Sequence, residues 1–533
     1  MSIVIDDKKI TNINISNKNV QKIVDTITNK IIFEKTSSNE YFYIENTYNG
    51  SNTISLITKI GSGNITGSHA TQLQYSKDKK TWTTITLSGT NTIPMNSGER
   101  VYFRNDNGFF NWYNSGSYQD YFYTQIKCSN KHKVGGNINT LLDYKNPNVA
   151  ITPYCFFQLF YGNEYLTDAN ELIFPKTSLA NNCYAGMFQG CTSLTTAPEL
   201  PATTLEDRCY YSMFQGCTSL TTAPKLPATT LADSCYYKMF YGCTSLTTAP
   251  KLPATTLASY CYSYMFSNCT SLVNVPELPA TTLANGCYSS IFNGCTSLTT
   301  SPVLPATTLA NECYSNMFND CISLTTAPEL PVTTLANYCY NNMFWGCTSL
   351  TAAPELPATT LAEYCYSSMF FGCSKLTVAP ELPATTMEYG CYESMFRNCT
   401  SLVNVPELPT TTLANNCYES MFRNCTSLNT APSLPATTLK MGCYVSMFRD
   451  CTSLTTSPVL PSTTLADSCY YQMFYGCTSL NNVTVYADDI SASGCTYNWL
   501  YDVAATGTFR NLGSAKYSRG SSGIPTGWTE VKN

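Results

Sequence analysis

Cysteine thiols are the reactive groups with the most regular spacing in this chain. Of its 27 cysteines, 24 form twelve pairs whose members lie eight positions apart, from Cys183 and Cys191 to Cys469 and Cys477. Such pairs could form disulfides, within a pair or between neighbouring repeats. They could equally be small buried apolar residues in two ladders along a core, and the lack of a CxxC knuckle argues against zinc. The sequence favours reduced ladders and leaves the disulfide alternative open.

Glutamates form a second regular set, because Glu329, Glu355, Glu381 and Glu407 occupy the same position of successive repeats. If neighbouring repeats pair as strands, these carboxylates stack roughly 5 Å apart, and a retaining glycosidase holds its two carboxylates at about that separation. A glycosidase needs two carboxylates in different environments, whereas this column repeats one environment and is interrupted by lysine and valine. The sequence therefore favours a solvated edge over a polysaccharide-degrading site.

Histidine is scarce, since His69 and His132 are the only two and both precede the repeats. None of the many Ser and Thr hydroxyls has an imidazole base within its own repeat. No glycine loop of the phosphate-binding kind and no acidic loop of the EF-hand kind occurs in the sequence. We therefore predict no catalytic, cofactor-binding or metal-binding residue, no cofactor and no enzymatic activity.

Side chains that differ between repeats are better candidates for function. One variable column lies two residues before each second cysteine, and another lies two residues after each first cysteine. Aromatic and arginine side chains are favoured at recognition sites. We predict a recognition surface made of Tyr211, Tyr237, Tyr241, Trp345, Phe371, Arg397, Arg423, Arg449, Tyr471 and Tyr475. The alternative is that Glu393 with Arg397 and Glu419 with Arg423 form i,i+4 ion pairs on a helical turn, while the aromatic rings pack on their neighbours.

The element that must position these side chains is a repeat of 26 residues, which recurs without insertion or deletion from Cys183 to Cys495. A fixed period of this length is typical of a solenoid, in which each coil covers the apolar stripes of its neighbours. In the unit that starts at Cys391, the apolar spacing over residues 391–399 predicts a short helical turn. The second half of each repeat contains prolines, such as Pro198 and Pro224. They interrupt the expected ladder between coils and limit each coil to one short strand.

Four regions follow from the pattern along the chain. Residues 1–36 are short strands between polar turns and are interpreted as an N-terminal β attachment element. Residues 37–150 are predicted to form a β-sandwich domain, and residues 151–503 are predicted to form the solenoid. Residues 504–533 are predicted to form a C-terminal cap that folds over the last coil and shields its edge.

Within these regions the sequence supports some finer predictions. About six short strands precede the repeats, with Trp82, Tyr102 and Phe103 expected in the core of the sandwich. The first and last coils are atypical, because Asn163 and Val503 replace the second cysteine, as end caps require. The final strand segment, residues 480–485, lacks the proline and is expected to be the most regular strand.

Composition limits the range of partners. The net charge is −5, the isoelectric point is near 5.3 and only 12% of residues are charged, which argues against nucleic acid because phosphate binding needs clustered Lys and Arg. No stretch of 18 apolar residues predicts a membrane span. Residues 1–24 lack the apolar run of a secretory signal. We therefore expect no nucleic acid binding, no membrane insertion and no classical export.

The motif CYxxMFxxCTSLTTAPELPATTLA resembles the BspA-type leucine-rich repeats, in which a Phe is followed shortly by Cys, Ser or Thr, and Leu. The resemblance covers roughly residues 151–503 and implies a leucine-rich-repeat solenoid after a small all-β domain. This repeat is slightly longer than the usual form, carries an extra Cys where the family often has Gly, and has a Pro inside the expected strand. These departures imply short strands rather than a wide regular sheet.

The order of the regions also resembles that of proteins encoded by gut bacteriophages and by Bacteroides-like bacteria. In the phages this resemblance implies a non-enzymatic structural protein at the virion surface, either a tail or head fibre or a decoration protein. Its partners would be other virion proteins, bound through the N-terminal region, and a host cell-surface protein or glycan. The alternative is a BspA-like adhesin on a bacterial cell surface. A homo-oligomer stays open, although no heptad pattern predicts a coiled coil.

Overall fold

The computed structural model describes residues 22–24, 31–34, 40–60, 72–106, 112–113, 121–146, 148–175 and 179–532. In these residues there is no α-helix, and a 3₁₀ helix spans Ile138–Leu141. The strands are β1 (Lys22–Val24), β2 (Ile31–Glu34), β3 (Phe42–Asn46), β4 (Asn52–Ile60), β5 (Gln72–Ser76), β6 (Thr83–Thr86), β7 (Thr90–Met95), β8 (Arg100–Arg104), β9 (Trp112–Tyr113), β10 (Tyr121–Cys128), β11 (His132–Asn137), β12 (Leu166–Ile173), β13 (Thr456–Leu460), β14 (Asn482–Val485), β15 (Gly507–Asn511) and β16 (Trp528–Lys532).

The region before the repeats is rich in strands. Strands β1 and β2 pair with each other, a four-stranded sheet has the order β7-β4-β10-β9, and a six-stranded sheet has the order β12-β11-β3-β8-β5-β6. All of these pairs are antiparallel except β11 with β12, which is parallel. The six strands expected here correspond to β3, β4, β5, β6, β8 and β10. Strands expected within the first 20 residues lie outside the described residues.

The predicted core of this region was correct for one of three residues. Phe103 is fully buried, whereas Trp82 and Tyr102 are half-buried. Tyr102 follows the buried Val101 along β8, so it points to the opposite face of the sheet. There Lys79 Nζ lies 4.4 Å from the Tyr102 ring centroid, and the guanidinium of Arg104 lies 3.9 Å from the Trp82 ring. Both rings therefore serve as partners of cations at the surface rather than as core residues.

Each repeat begins with about nine residues that form consecutive turns, and the predicted helical turn was wrong. In the repeat that starts at Cys391, alternate N–H groups donate to carbonyl oxygens of the next repeat, such as Tyr392 to Cys417 (3.0 Å) and Phe396 to Met421 (2.9 Å). The N–H groups between them bond to carbonyl oxygens three residues back in their own repeat. The apolar residues recur with a period of four, which these turns match, whereas an α-helix has about 3.6 residues per turn.

The backbone is left-handed at the residue before each second cysteine, for example at Gly346 (φ 70°) and Asn398 (φ 63°). This position holds Gly, Asn or Asp in all twelve complete repeats. These residue types adopt the left-handed conformation at the least cost. The composition of this one column was therefore the sequence signal for turns instead of a helix.

The proline-containing half of the repeat makes isolated β-bridges in most repeats. Thr196 pairs in parallel with Thr222, and each lies two residues before a proline, Pro198 or Pro224. Proline has no N–H to donate, so the ladder stops there in most repeats. The exception is β13, which continues past Pro458 with a shift in register between Thr456 and Val459. Residues 480–485, in the repeat that starts at Cys469, lack this proline and form the regular strand β14, which pairs in parallel with β13 and β15. The expectation for residues 480–485 is confirmed.

All 27 cysteines lie in the described part of the chain, where they are buried and free of disulfides. The structure thus has the reduced ladders. The second cysteine of each pair also makes a directed contact, because Cys399 Sγ donates to the carbonyl oxygen of Phe370 in the preceding repeat at 3.0 Å. The same bond, at 2.9–3.2 Å, occurs at all twelve second cysteines. This ladder both fills space and satisfies a buried carbonyl lone pair.

The first coil is joined to the strands that precede it. Ile126 in β10 donates its N–H to the carbonyl oxygen of Leu159 at 2.7 Å, in the manner of a preceding repeat. Asn163, which replaces the second cysteine, is buried and donates to the carbonyl oxygen of Ile126 at 3.1 Å. Its Nδ2 also lies 3.0 Å from Nε2 of His132, whose pKa is lowered to about 4 by burial. An uncharged imidazole is therefore part of this junction.

The last coil is completed by the tail. The N–H of Asn498 donates to Ser522 Oγ at 2.9 Å, and the N–H of Leu500 donates to the carbonyl oxygen of Ser521 at 3.2 Å. On the other side of the coil the tail contributes β15 and β16, which extend the parallel sheet by two strands. The tail thus covers the donors of the last turn segment and prolongs the sheet as far as β16.

The state of the thiols can be tested directly. Burial raises their pKa values, to about 12 for Cys399 and Cys451, and only the thiolate reacts with alkylating agents. We expect the folded protein at pH 8 to resist iodoacetamide at its 27 cysteines and to react at all of them in guanidinium chloride without reductant. Mass spectrometry counts the modified residues. A count below 27 in the unfolded protein would show that disulfides are present.

Candidate recognition surface

All ten residues predicted to form a recognition surface are half-buried on the turn segments. In the repeat that starts at Cys391, Met395 and Phe396 are fully buried. Arg397, which follows Phe396, is half-buried and has part of its side chain on the outer side of the segment. The structure divides the ten residues into separate groups along the array of repeats.

A lysine-centred cluster lies in the earlier repeats. The rings of Tyr211 and Tyr237 stack with centroids 4.9 Å apart. Lys238 Nζ lies 5.2 Å from the Tyr237 centroid, 5.6 Å from that of Tyr241 and 5.1 Å from that of Tyr264. A lysine surrounded by three rings gains cation–π attraction from each. Three of the predicted residues are therefore brought together around a cation that the sequence analysis had not selected.

A second group, which we name the Arg–aromatic row, occupies one column of the later repeats. Its members share the position two residues before the second cysteine or its equivalent, and they are Trp345, Phe371, Arg397, Arg423, Arg449, Tyr475 and Tyr501. Trp345 stacks on Phe371 with centroids 4.0 Å apart, and Tyr475 stacks on Tyr501 at 4.8 Å. The guanidinium of Arg397 lies 5.3 Å from the Phe371 centroid and that of Arg449 lies 4.4 Å from the Tyr475 centroid. Three arginines are thus held between two pairs of rings.

The three arginines of the row repel one another. The pKa of Arg423 is lowered, first by burial and then by Arg397 and Arg449 on either side, with partial compensation from Asp450. Asp450 Oδ2 lies 3.4 Å from Arg449 Nε and 3.9 Å from Arg423 Nε. In the described part of the chain this is the one carboxylate that forms an ion pair with the row. The row therefore carries more positive charge than its neighbours neutralise.

The alternative of i,i+4 ion pairs was wrong. Within the described residues no ion pair joins Glu393 to Arg397 or Glu419 to Arg423. The segment is not helical, and each side chain lies beside the same position of the adjacent repeat instead. Burial and the neighbouring carboxylate of Glu419 raise the pKa of Glu393 to about 7, and burial raises the pKa of Glu419. The glutamate pair and the arginines thus occupy distinct columns of the same surface.

The alternative that aromatic rings pack on their neighbours describes the observed contacts. Tyr471 stacks on Tyr497 at 5.0 Å, as the rings of the Arg–aromatic row do. The facing sides of each stacked pair are covered by the neighbouring ring, so ring edges remain for contact with a ligand. Tyr497, Tyr501, Asp450 and Lys238 were missed by the sequence analysis. Counting the columns through the last coil would have revealed the two tyrosines.

The glutamate column lies on the opposite, proline-containing part of the repeats. Glu329, Glu355, Glu381 and Glu407 are all exposed, and Glu355 with Glu381 borders a shallow groove of about 240 Å³ among prolines. Ser433 donates its N–H and hydroxyl to Glu407 and lowers the pKa of that carboxyl. All four carboxylates are exposed, as expected of a solvated edge.

The described residues contain neither a metal-binding cluster nor a membrane-spanning helix. There, no three His, Cys, Asp or Glu side chains are grouped so as to hold a metal ion. Nor does that part of the chain contain a helix with the length and apolar character needed to cross a membrane. Of the two histidines, His132 is buried in the junction with the first coil, and His69 lies outside the described residues.

The raised pKa of Glu393 predicts a pH effect on stability. The folded state holds the proton up to about pH 7, whereas the unfolded state releases it near pH 4.3, so this group lowers the free energy of unfolding as the pH rises through that interval. After allowance for solvent screening, we expect the free energy of unfolding to fall by an amount on the order of 1–2 kcal/mol over this pH interval. Urea unfolding of E393Q should show a gain of that size over the native protein at pH 8 and none at pH 4. Equal gains at both pH values, or a gain in the exposed control E355Q, would contradict this assignment.

Comparison with known proteins places the repeats in a family. The model of the BspA type leucine rich repeat region (6 copies) matches residues 150–273, 181–325, 262–391 and 364–494, which together cover more than half of the 533-residue chain. A crystal structure of a leucine-rich repeat protein from Eubacterium ventriosum ATCC 27560 is 13% identical over 70% of this chain and 86% of that one, with a TM-score of 0.29. A crystal structure of a TLR13–ssRNA13 complex is 12% identical over 67% of this chain and 52% of that one, with a TM-score of 0.21.

Among curated proteins, no sequence matches this chain. The family assignment depends on the repeats themselves, whose overlapping matches run without a gap from residue 150 to residue 494. The chain belongs to the BspA type leucine-rich-repeat family.

Proposed function

We propose that this protein is a non-enzymatic adhesion protein, in which the repeats form a rigid solenoid that presents the Arg–aromatic row to a host cell-surface protein or glycan. The observation that carries the proposal is the row itself, three arginines between two stacked pairs of rings on one side of the array. Arginine and large aromatic residues are the types that dominate recognition surfaces. Leucine-rich repeats of the BspA type are typically surface-exposed, non-enzymatic binding scaffolds.

Rigidity of the scaffold supports this function. Each turn segment donates several N–H groups to the next repeat at 2.7–3.2 Å, and buried rings stack in register, for example Phe396 on Phe422 at 5.7 Å. A surface held in place before binding loses little conformational entropy when the ligand arrives. Such an array is suited to adhesion, because its binding residues need no rearrangement.

For the place of action we propose the virion surface, where the protein is a tail or head fibre or a decoration protein. In this proposal residues 1–36 and the two sheets that follow, arranged as a sandwich, attach the solenoid to other virion proteins. The junction at Asn163 and Ile126 supports rigid attachment, since it joins the strands of this region to the first coil. The alternative is an adhesin on a bacterial cell surface, for which the exposed character typical of the family is the supporting observation.

The place of action is tested by gold labelling. An antibody against residues 151–503 is applied to purified phage particles and to bacteria from the same culture and from an uninfected culture. We expect label on the particles. Label confined to bacteria, uninfected cells included, would replace the virion proposal by the bacterial adhesin.

The role of the row in adhesion is tested with paired alanine variants. We expect W345A/F371A to reduce binding to host cells by roughly tenfold or more, since aromatic residues that act as hot spots of an interface cost at least about 2 kcal/mol of binding free energy when removed. The matched control is Y338A/Y364A, which removes another stacked pair, with centroids 4.9 Å apart, outside the row. Thermal unfolding of both variants measures the loss of packing common to the two pairs. Equal adhesion by both variants at matched stability would refute the proposal.

A further inference from the structure

We propose that the Arg–aromatic row binds an acidic linear polysaccharide through the guanidinium groups of Arg397, Arg423 and Arg449. This inference rests on the proposed adhesion function and names the chemical class of its ligand. The ligand carries carboxylate or sulfate groups at regular intervals and lies along the direction in which the repeats stack.

Unneutralised charge is the first reason for this assignment. Like charges at the same position of paired strands destabilise a sheet, yet three arginines occupy one column in successive repeats of a chain that is only 12% charged. Asp450 is the carboxylate within ion-pair distance of the row in the described structure, and it contacts Arg423 and Arg449. Glu393 and Glu419 form no ion pair with the row there. An anionic ligand would supply the missing negative charge.

Unused hydrogen-bond donors are the second reason. Arg397 Nε has no hydrogen-bond partner. Arg449 donates from one terminal nitrogen to Gln472 Oε1 at 2.7 Å, and its Nε lies 3.4 Å from Asp450 Oδ2, so only part of its guanidinium is engaged. A guanidinium presents its N–H groups as a planar fork that fits the two oxygens of a carboxylate or sulfate. Phe371 and Tyr475 hold two of these forks in place through cation–π contacts of 5.3 and 4.4 Å. The donors are therefore oriented before any ligand binds.

The spacing of the row favours a linear polymer over a small anion. Stacked rings at adjacent positions of the row lie 4.0 Å apart at Trp345 and Phe371 and 4.8 Å apart at Tyr475 and Tyr501. The row therefore offers one guanidinium roughly every 5 Å. A polysaccharide with one acidic group on each sugar advances by a comparable length per charge. Same-face side chains of an extended peptide are farther apart, at roughly 6.6–6.8 Å. The register of the repeats therefore matches an acidic glycan better than a run of Asp or Glu.

Single-stranded nucleic acid is the competing polyanion, and the ring geometry disfavours it. Binding of single strands depends on bases that stack on exposed ring faces. In the row the facing surfaces of Trp345 and Phe371 cover each other at 4.0 Å, and those of Tyr475 and Tyr501 do so at 4.8 Å. The net charge of −5 also opposes a phosphate backbone. The edges of the rings remain available for hydroxyl groups of sugars.

The experiment measures binding of the full chain to immobilised polymers by biolayer interferometry. The probes are polygalacturonate, which is carboxylated, dextran sulfate, neutral dextran and polyuridylate. We expect salt-sensitive binding to one or both acidic polysaccharides and none to neutral dextran. The two acidic probes distinguish carboxylate from sulfate as the preferred group. Polyuridylate binding equal to or tighter than that of both polysaccharides would overturn the proposal in favour of nucleic acid.

Charge-matched variants assign the binding to the row. We expect R397Q/R423Q/R449Q to bind the acidic polysaccharide more than roughly tenfold more weakly, since hydrogen bonds between charged groups are the strong ones. The control K225Q/K251Q/K375Q removes the same charge from exposed lysines of the repeats and should bind within roughly twofold of the native protein because these residues lie outside the row. The single variant R423Q, whose thermal unfolding is measured in parallel, guards against misfolding of the triple variant. Equal weakening by the arginine and lysine triples would show that only net charge matters.

Cell adhesion separates this inference from the function on which it rests. A chain that adheres to host cells but binds neither acidic polysaccharide, with adhesion unchanged in R397Q/R423Q/R449Q, would overturn the ligand assignment and leave adhesion in place. A chain that binds the polysaccharides through the row but does not adhere to cells would support the ligand assignment and overturn the proposed function.

Discussion

The backbone hydrogen bonds between the turn segments of adjacent repeats all run in one direction, and this constraint determines the rest of the structure. Alternate N–H groups of each turn segment donate to the carbonyl oxygens of the following repeat. A single inserted residue would exchange the donors of this ladder with the groups bonded inside the repeat, and it would move buried side chains to the surface. The fixed period of 26 residues therefore expresses hydrogen-bond register as much as apolar burial.

The same constraint accounts for several residue types that packing alone would not require. Gly, Asn or Asp before the second cysteine permits the left-handed backbone that redirects the donors, as at Asn398. The second cysteine adds a thiol donor to a carbonyl oxygen that already accepts a backbone bond, as Cys399 does toward Phe370. Alanine could fill part of that space but could not donate. Cysteine is thus favoured here by its weak S–H donor together with its small apolar volume.

Much of the fold could be predicted from the sequence because the same residue pattern recurs in twelve repeats, and each repeat supports the same inference. The period, the buried columns and the effect of Pro198 and its equivalents all follow from residue type and spacing. The sequence did not distinguish a helix from consecutive turns, because apolar residues with a period of four and with a period of 3.6 fall at nearly the same positions over only nine residues. Trp82 and Tyr102 were misplaced for another reason, since large rings also cover cations at a sheet surface.

The positions of the ten candidate recognition residues could be read from the sequence, but their contacts could not. Variation among otherwise identical repeats indicated columns that the structure shows to be half-buried. The stacking of Trp345 on Phe371 and the approach of Asp450 to Arg449 depend on distances between repeats. Equivalent positions of adjacent repeats lie side by side and form a column, so neighbours in space are 26 residues apart in sequence. A pattern read within one repeat, such as the i,i+4 pair of Glu393 and Arg397, therefore describes the wrong neighbours.

The one-way ladder makes the two ends of the array chemically unlike each other. Carbonyl acceptors lie at the end that Ile126 meets, and N–H donors lie at the end that Ser521 and Ser522 meet. A whole coil inserted between them presents the same acceptors and donors to its neighbours as the coil it displaces, so both junctions remain intact. The length of the array beyond the N-terminal strands therefore depends on the number of repeats. It grows by roughly 5 Å with each added coil, and no existing repeat has to change.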